Sequence, residues 1–111
     1  MKFPFFKKMP IPPIVEFESK FIKEHSNYCL VNISTDYYDF SKDALIYFIT
    51  KTEADKEYFL KNLFEECKKE YQDALIKSNI YDIKNFKFAV LSQEDIDNRY
   101  EGILYYAKLD N

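Results

Sequence analysis

With 111 residues, 47% of them apolar and 19% aromatic, and a formal charge of -3, the chain suits one packed domain that buries about two-thirds of its unfolded surface. That length excludes two domains, and so much Phe and Tyr excludes an acidic disordered chain. The charge is too mild to signal nucleic-acid binding by phosphate neutralisation, although it is uneven, +2 over residues 1–27 and -5 over the rest.

Residues 1–12, MKFPFFKKMPIP, mix Phe and Lys with prolines that forbid a regular helix or a central strand, and they predict an extended arm. Residues 13–111 are expected to form a single α+β domain. From Pro13 a helix is expected. Pro13 suits its first turn, Glu16 favours its N-terminus, and Ile14, Val15, Phe17, Phe21, Ile22 and His25 line one face before Ser26 and Asn27 end it. Read instead as a strand, only Ile14 to Glu18 alternates. Tyr28 to Thr35 reads as a strand with Cys29, Val31 and Ile33 facing the core. Ala44 to Thr50, ALIYFIT, is apolar on both faces, as a covered central strand must be. Between these two strands lies an eight-residue loop, DYYDFSKD at 36–43.

Thr52 to Asn79 carries the clearest periodicity. At about 100° per residue, Leu60, Leu63, Phe64, Cys67, Tyr71, Ala74 and Leu75 fall in one stripe. Tyr58 and Ile76 lie off it, near the wet face. Thr52 is a good N-cap, Glu53 and Asp55 complement the dipole, Asn79 can close the last turn, and Glu57–Lys61, Glu65–Lys69 and Asp73–Lys77 are acid-before-base pairs. Phe86 to Leu91 alternates as a third strand, with Phe86, Phe88 and Val90 inward. Ser92 followed by Asp95 resembles a capping box for a short turn of helix over Gln93 to Asn98. Gly102 to Leu109, GILYYAKL, alternates as a fourth strand with Ile103, Tyr105, Ala107 and Leu109 packing.

The order is then α-β-β-α-β-β, an antiparallel sheet of about four strands with one long helix on one face. If residues 14–18 form a strand, the order becomes the ferredoxin-like β-α-β-β-α-β with an extra strand. The other sheet face needs cover as well, from the N-terminal helix and arm or from a second copy of the chain.

The available chemistry is narrow. Gly102 is the only glycine, so phosphate-cradling P-loop and Rossmann turns are not expected, and no cofactor is expected. Two cysteines and one histidine without a C-x-x-C spacing do not make a structural zinc site, and Cys29 and Cys67 read as small hydrophobes. His25 fits a helix C-terminus better than a general base. No apolar run near 18 residues and no signal-peptide pattern stand out, which gives a cytoplasmic expectation and no membrane association.

Carboxylates cluster with aromatics twice. One group is Asp36, Tyr37, Tyr38, Asp39, Phe40 and Asp43; the other is Glu94, Asp95, Asp97, Arg99, Tyr100 and Glu101. Tyr gives large contact area at small entropy cost, and an acidic field speeds capture of a basic partner. Asp36, Tyr37, Tyr38, Asp39, Asp43, Glu94, Asp95, Asp97, Tyr100 and Glu101 are therefore expected to bind a protein. A small, acidic, aromatic-rich domain without catalytic equipment resembles bacterial toxin-immunity proteins and other small inhibitors, in profile and not through any motif. The expected function is non-enzymatic neutralisation of a basic, nuclease-type toxin or enzyme. The alternatives are a homodimeric regulatory or assembly subunit, and a metal-dependent enzyme built on the clustered carboxylates.

Overall fold

The computed structural model describes residues 11–111; the expected arm, apart from Ile11 and Pro12, lies outside them. Helix α1 (Pro13–Glu24) starts with Pro13 in its first turn and Glu16 beside it, and its C-cap is His25. The helical reading of this segment is the one the chain adopts. A 3-10 turn, Ser26–Tyr28, leads to Cys29 in the left-handed conformation at φ 57°.

That turn changes the phase of β1 (Leu30–Tyr38). Leu30 and Ile33 enter the core, whereas Cys29 and Val31, expected inward, are exposed. A bulge between Leu30 and Asn32 lets two residues three apart share one face. β1 also runs on through Asp36, Tyr37 and Tyr38, which shortens the expected loop. β2 (Asp43–Thr50) is buried on both sides as its composition requires, with Ala44, Ile46 and Phe48 on one face and Tyr47 and Ile49 on the other.

The helical segment after β2 is not one helix. α2 (Glu53–Asn62) and α3 (Phe64–Ser78) meet at Leu63, which leaves helical geometry at φ -125°. On an uninterrupted helix Leu60 would share the stripe of Cys67 and Phe59 would lie about 80° away. The break turns α2 so that Phe59 is buried against Phe48 and Phe64 while Leu60 is exposed, and the larger ring buries more apolar area. The expected caps form: Thr52 Oγ1 accepts from Asp55 N–H, and Asn79 closes α3 at φ 57°. Tyr58 and Ile76 are exposed. Among the described residues, the outer face carries a Glu65–Lys68 pair at 3.0 Å in place of the expected Glu65–Lys69 spacing.

The two helices carry the chain back to the Asp43 end, so β3 (Asn85–Ser92) runs parallel to β2. A long crossover is what parallel neighbours require. The sheet is therefore three-stranded and mixed, in the order β1-β2-β3, with β1 antiparallel to β2. Neither the four-stranded antiparallel sheet nor the ferredoxin-like alternative forms.

After α4 (Gln93–Arg99), capped by Ser92 as expected, Glu101 and Gly102 at φ 54° and 76° turn the chain into α5 (Leu104–Leu109). The alternation of GILYYAKL suggests a strand, but the three-residue spacing of Leu104 and Ala107 prevails. Those two pack inward, while Ile103, Tyr105 and Leu109 are exposed. Short apolar runs carry both periods, and tertiary burial decides between them.

Two layers of helix result. On one face α1, α2 and α3 set Phe21, Phe59, Cys67, Tyr71 and Leu75 against Ile33, Ile46, Phe48 and Val90. On the other, Ile96 and Ala107 with Tyr100 and Leu104 cover Tyr47, Ile49 and Leu91. The second face is thus filled by the C-terminal helices, and α1 lies on the first.

Candidate functional site

Phe40, in the turn between β1 and β2, is 91% exposed, the most of any large apolar side chain among the described residues. The turn around it is held firmly. Lys42, left-handed at φ 60°, closes it by donating its N–H to the Tyr38 carbonyl at 2.8 Å. Its own carbonyl accepts from Lys84 N–H at 2.8 Å and Asn85 N–H at 3.3 Å, which ties the α3–β3 connector to the hairpin.

Side chains reinforce that junction. Tyr37 stacks on Tyr81 with ring centroids 4.3 Å apart and planes 11° from parallel, and its hydroxyl donates to the Asp82 carbonyl at 2.9 Å. Lys42 Nζ donates to Asp39 at 3.2 Å and lies 3.9 Å from the Asp82 carboxylate; these two acids are 87% and 76% exposed. The hydrogen bond to Asp39 holds the Lys42 ammonium above the ordinary lysine range. Burial, then Glu18 and Asp36 nearby, push the Tyr81 hydroxyl up. Asp43 accepts from Asn85 Nδ2 at 2.8 Å. One end of the sheet therefore presents Phe40 next to the exposed carboxylate of Asp39, with Lys42 reaching from Asp39 to Asp82 and Tyr38 on the face opposite Tyr37, on a frame fixed by backbone bonds and a ring stack.

Asp36 stands apart from this group. As the neighbour of Tyr37 on a strand it points to the opposite face, where Lys108 Nζ donates to both its oxygens.

The second sequence cluster starts at the other end of the sheet, since Ser92 pairs with Thr50 while Asn85 pairs with Asp43. Its acids are largely engaged within the fold. Glu94 accepts from the Glu53 N–H at 3.0 Å and so satisfies an open donor at the start of α2. Asp95 pairs with Arg99 at 3.4 Å, Asp97 accepts from Gln93 Nε2 at 2.9 Å, and the Tyr100 hydroxyl donates to Asp110. Glu101 occupies the left-handed turn before Gly102.

His25 ends α1 as expected, stacked on Phe21 with centroids 4.0 Å apart and its Nε2 3.1 Å from Glu70. Among the described residues no three His, Cys, Asp or Glu side chains gather at metal-binding range, and no helix is long and apolar enough to cross a membrane.

Phe40 is grouped with the first carboxylate cluster in the sequence but is not among the residues expected to bind, and two further contributors escape a sequence reading. Tyr81 and Asp82 lie in a connector without periodicity, and only the parallel return of β3 places them beside the hairpin. Glu18 had a signal, being a lone acid four residues after Ile14 and four before Ile22 on the apolar stripe of α1. It is 8% exposed, and one oxygen accepts the Thr35 N–H of β1 at 2.7 Å. Burial pushes its pKa up to about 7 against the pull of that hydrogen bond. The Thr35 hydroxyl in turn bonds the Tyr71 hydroxyl at 2.7 Å.

Comparison with protein-family models, curated proteins and solved structures finds no match to this chain.

Proposed function

We propose that the chain is a non-enzymatic protein-binding module that engages a basic partner through its hairpin end, with Tyr38, Asp39, Phe40 and Asp82 as contact residues. Neutralisation of a basic toxin or nuclease-type enzyme, in the manner of an immunity protein or small inhibitor, is the role this reading assigns. The observation that carries it is Phe40, 91% exposed and next in the turn to the exposed carboxylate of Asp39. An aromatic ring in water gains on association, since aromatic anchors dominate binding energy, while surrounding charges set the encounter rate and partner choice. The Tyr37–Tyr81 stack and the doubly bonded Lys42 carbonyl hold the loop before binding, which reduces the ordering cost. The α4 cluster contributes less to this surface, because it starts at the other end of the sheet.

A photo-crosslinking residue placed at position 40, and in a second variant at the exposed Lys61 of α2, tests the reading in extracts of the source cells. Position 40 should capture one basic protein that position 61 does not. With that protein purified, affinity should fall as salt rises and be lost in Phe40→Ser. Equal capture from both positions, or an acidic partner bound without salt dependence, would overturn it.

A further inference from the structure

The two edges of the sheet differ in what they offer a neighbouring strand. On β1 the outward amide of Thr35 is taken by Glu18 at 2.7 Å and that of Ile33 by the Asn32 side chain at 2.9 Å, so the edge is blunted as natural sheets require. On β3, Asn85 N–H donates to Lys42 O, and the Leu91 carbonyl lies 3.4 Å from the Thr50 hydroxyl. These contacts place Asn85, Lys87, Ala89 and Leu91 in the ladder with β2. The period of two then turns the N–H and C=O of Phe86 and Phe88 away from it. Among the described residues nothing bonds those outward groups.

The half-buried rings of Phe86 and Phe88, stacked with centroids 6.4 Å apart, line a groove between this edge and α3. Its rim bears Lys68, Lys69 and Asp73, and a second hollow continues it past Lys84 and Lys87. Lys68 is paired with Glu65 and Asp43 is taken by Asn85. Among the described residues Lys69, Lys84 and Lys87 form no ion pair, and the groove has only Asp73 as an uncommitted acid. In a chain of charge -3 this edge is short of anions.

We propose that the outer edge of β3 is a strand-addition site for an extended acidic peptide segment of a partner protein. Main-chain bonds to Phe86 and Phe88 supply affinity, and alternate side chains supply specificity. Apolar residues of the incoming strand seat on the Phe86 and Phe88 rings, and the carboxylates between them, pointing to the other face, meet Lys87, with Lys84 at the end of the strand. The site is separate from the hairpin end and prefers the opposite charge, so either assignment can fail alone.

The probe is a capped seven-residue peptide alternating glutamate and valine, titrated into the whole chain while amide signals and hydrogen exchange are followed by NMR. Binding should protect the Phe86 and Phe88 amides, and a lysine-for-glutamate peptide should bind at least about tenfold more weakly. The same peptide N-methylated at alternate residues should not bind, a control that leaves the protein unaltered, and Phe88→Pro should abolish binding if the variant folds. No binding at millimolar peptide, binding without protection of those amides, or equal binding of the lysine peptide would each overturn the proposal. Protection that grows with protein concentration and without peptide would overturn it in favour of a second copy on the edge.

Discussion

Lys108 in the last helix places its ammonium 2.9 Å and 3.0 Å from the two carboxylate oxygens of Asp36 in the first strand, and 2.7 Å from the Ser34 hydroxyl. The same ammonium lies 4.9 Å from the centre of the Tyr47 ring. Its side chain is 17% exposed and that of Asp36 35%, so the pair is partly withdrawn from water and fastens α5 across the second sheet face. Lys108→Met should lower unfolding free energy by about 1–3 kcal/mol, because it leaves Asp36 uncompensated. Lys20→Met, which removes an exposed pair with Glu24, should change it by less than about 1 kcal/mol. Urea denaturation of both variants checks the contrast; equal losses would mean that the Lys108 contact holds nothing in place.

Glu18 should make the fold less stable as pH rises. Its carboxyl goes from 4.5 to about 7 on folding, so between those values the folded chain holds a proton that the unfolded chain has released. By linkage the penalty is absent below pH 4.5, accumulates through that window and is complete above pH 7, reaching on the order of 3 kcal/mol. Glu18→Gln keeps an oxygen for the Thr35 amide and cannot ionise. The variant should gain on the wild type from pH 5 to pH 8, and a difference that stays constant with pH would refute the assignment.

The two thiols should react differently. Cys29 is exposed, whereas Cys67 is wholly buried and its thiol is pushed up to about 12 by burial, with Glu70 and Glu66 adding to the effect. A thiolate reagent should modify one cysteine per native chain, identified by mass spectrometry as Cys29, and reach Cys67 only on unfolding. Prompt modification of both would contradict the packing of α3.

Binding and folding should separate cleanly between two phenylalanines. Phe40→Ser should leave stability within about 0.5 kcal/mol and still remove partner binding. Phe48, wholly buried between the helices and β3, should cost about 3–5 kcal/mol when changed to Ala. Thermal melts of both variants decide this. A large stability loss at position 40 would make that ring structural.

Elements fixed by local chemistry are legible in the sequence: the proline start of α1, the Thr52 and Ser92 caps, the left-handed Asn79, and the two-sided apolar run of β2. What is not legible depends on distant neighbours. The phase of β1 is set by the turn at Cys29, and the break at Leu63 follows from Phe59 competing with Leu60 for the sheet. α5 is helical because β2 and β3 needed covering, and strand direction follows from where α3 delivers the chain. The candidate site divides along the same line. In its hairpin half Asp39 is among the expected binding residues, Phe40 is not, and Asp36 is turned away to Lys108, while Tyr81 and Asp82 join it only through the parallel return of β3.

That return also orders events during synthesis. β2 gains its second neighbour only after residues 51–84 have been made, and Tyr47 and Ile49 are covered only once α4 and α5 have followed. Until then an emerging polypeptide carries a hairpin with one bare edge and one bare apolar face, the kind of species that self-associates. A chain ended at Ser92 should therefore be recovered as aggregate and not as a smaller folded unit, which would make α4 and α5 the fold's own shield against association.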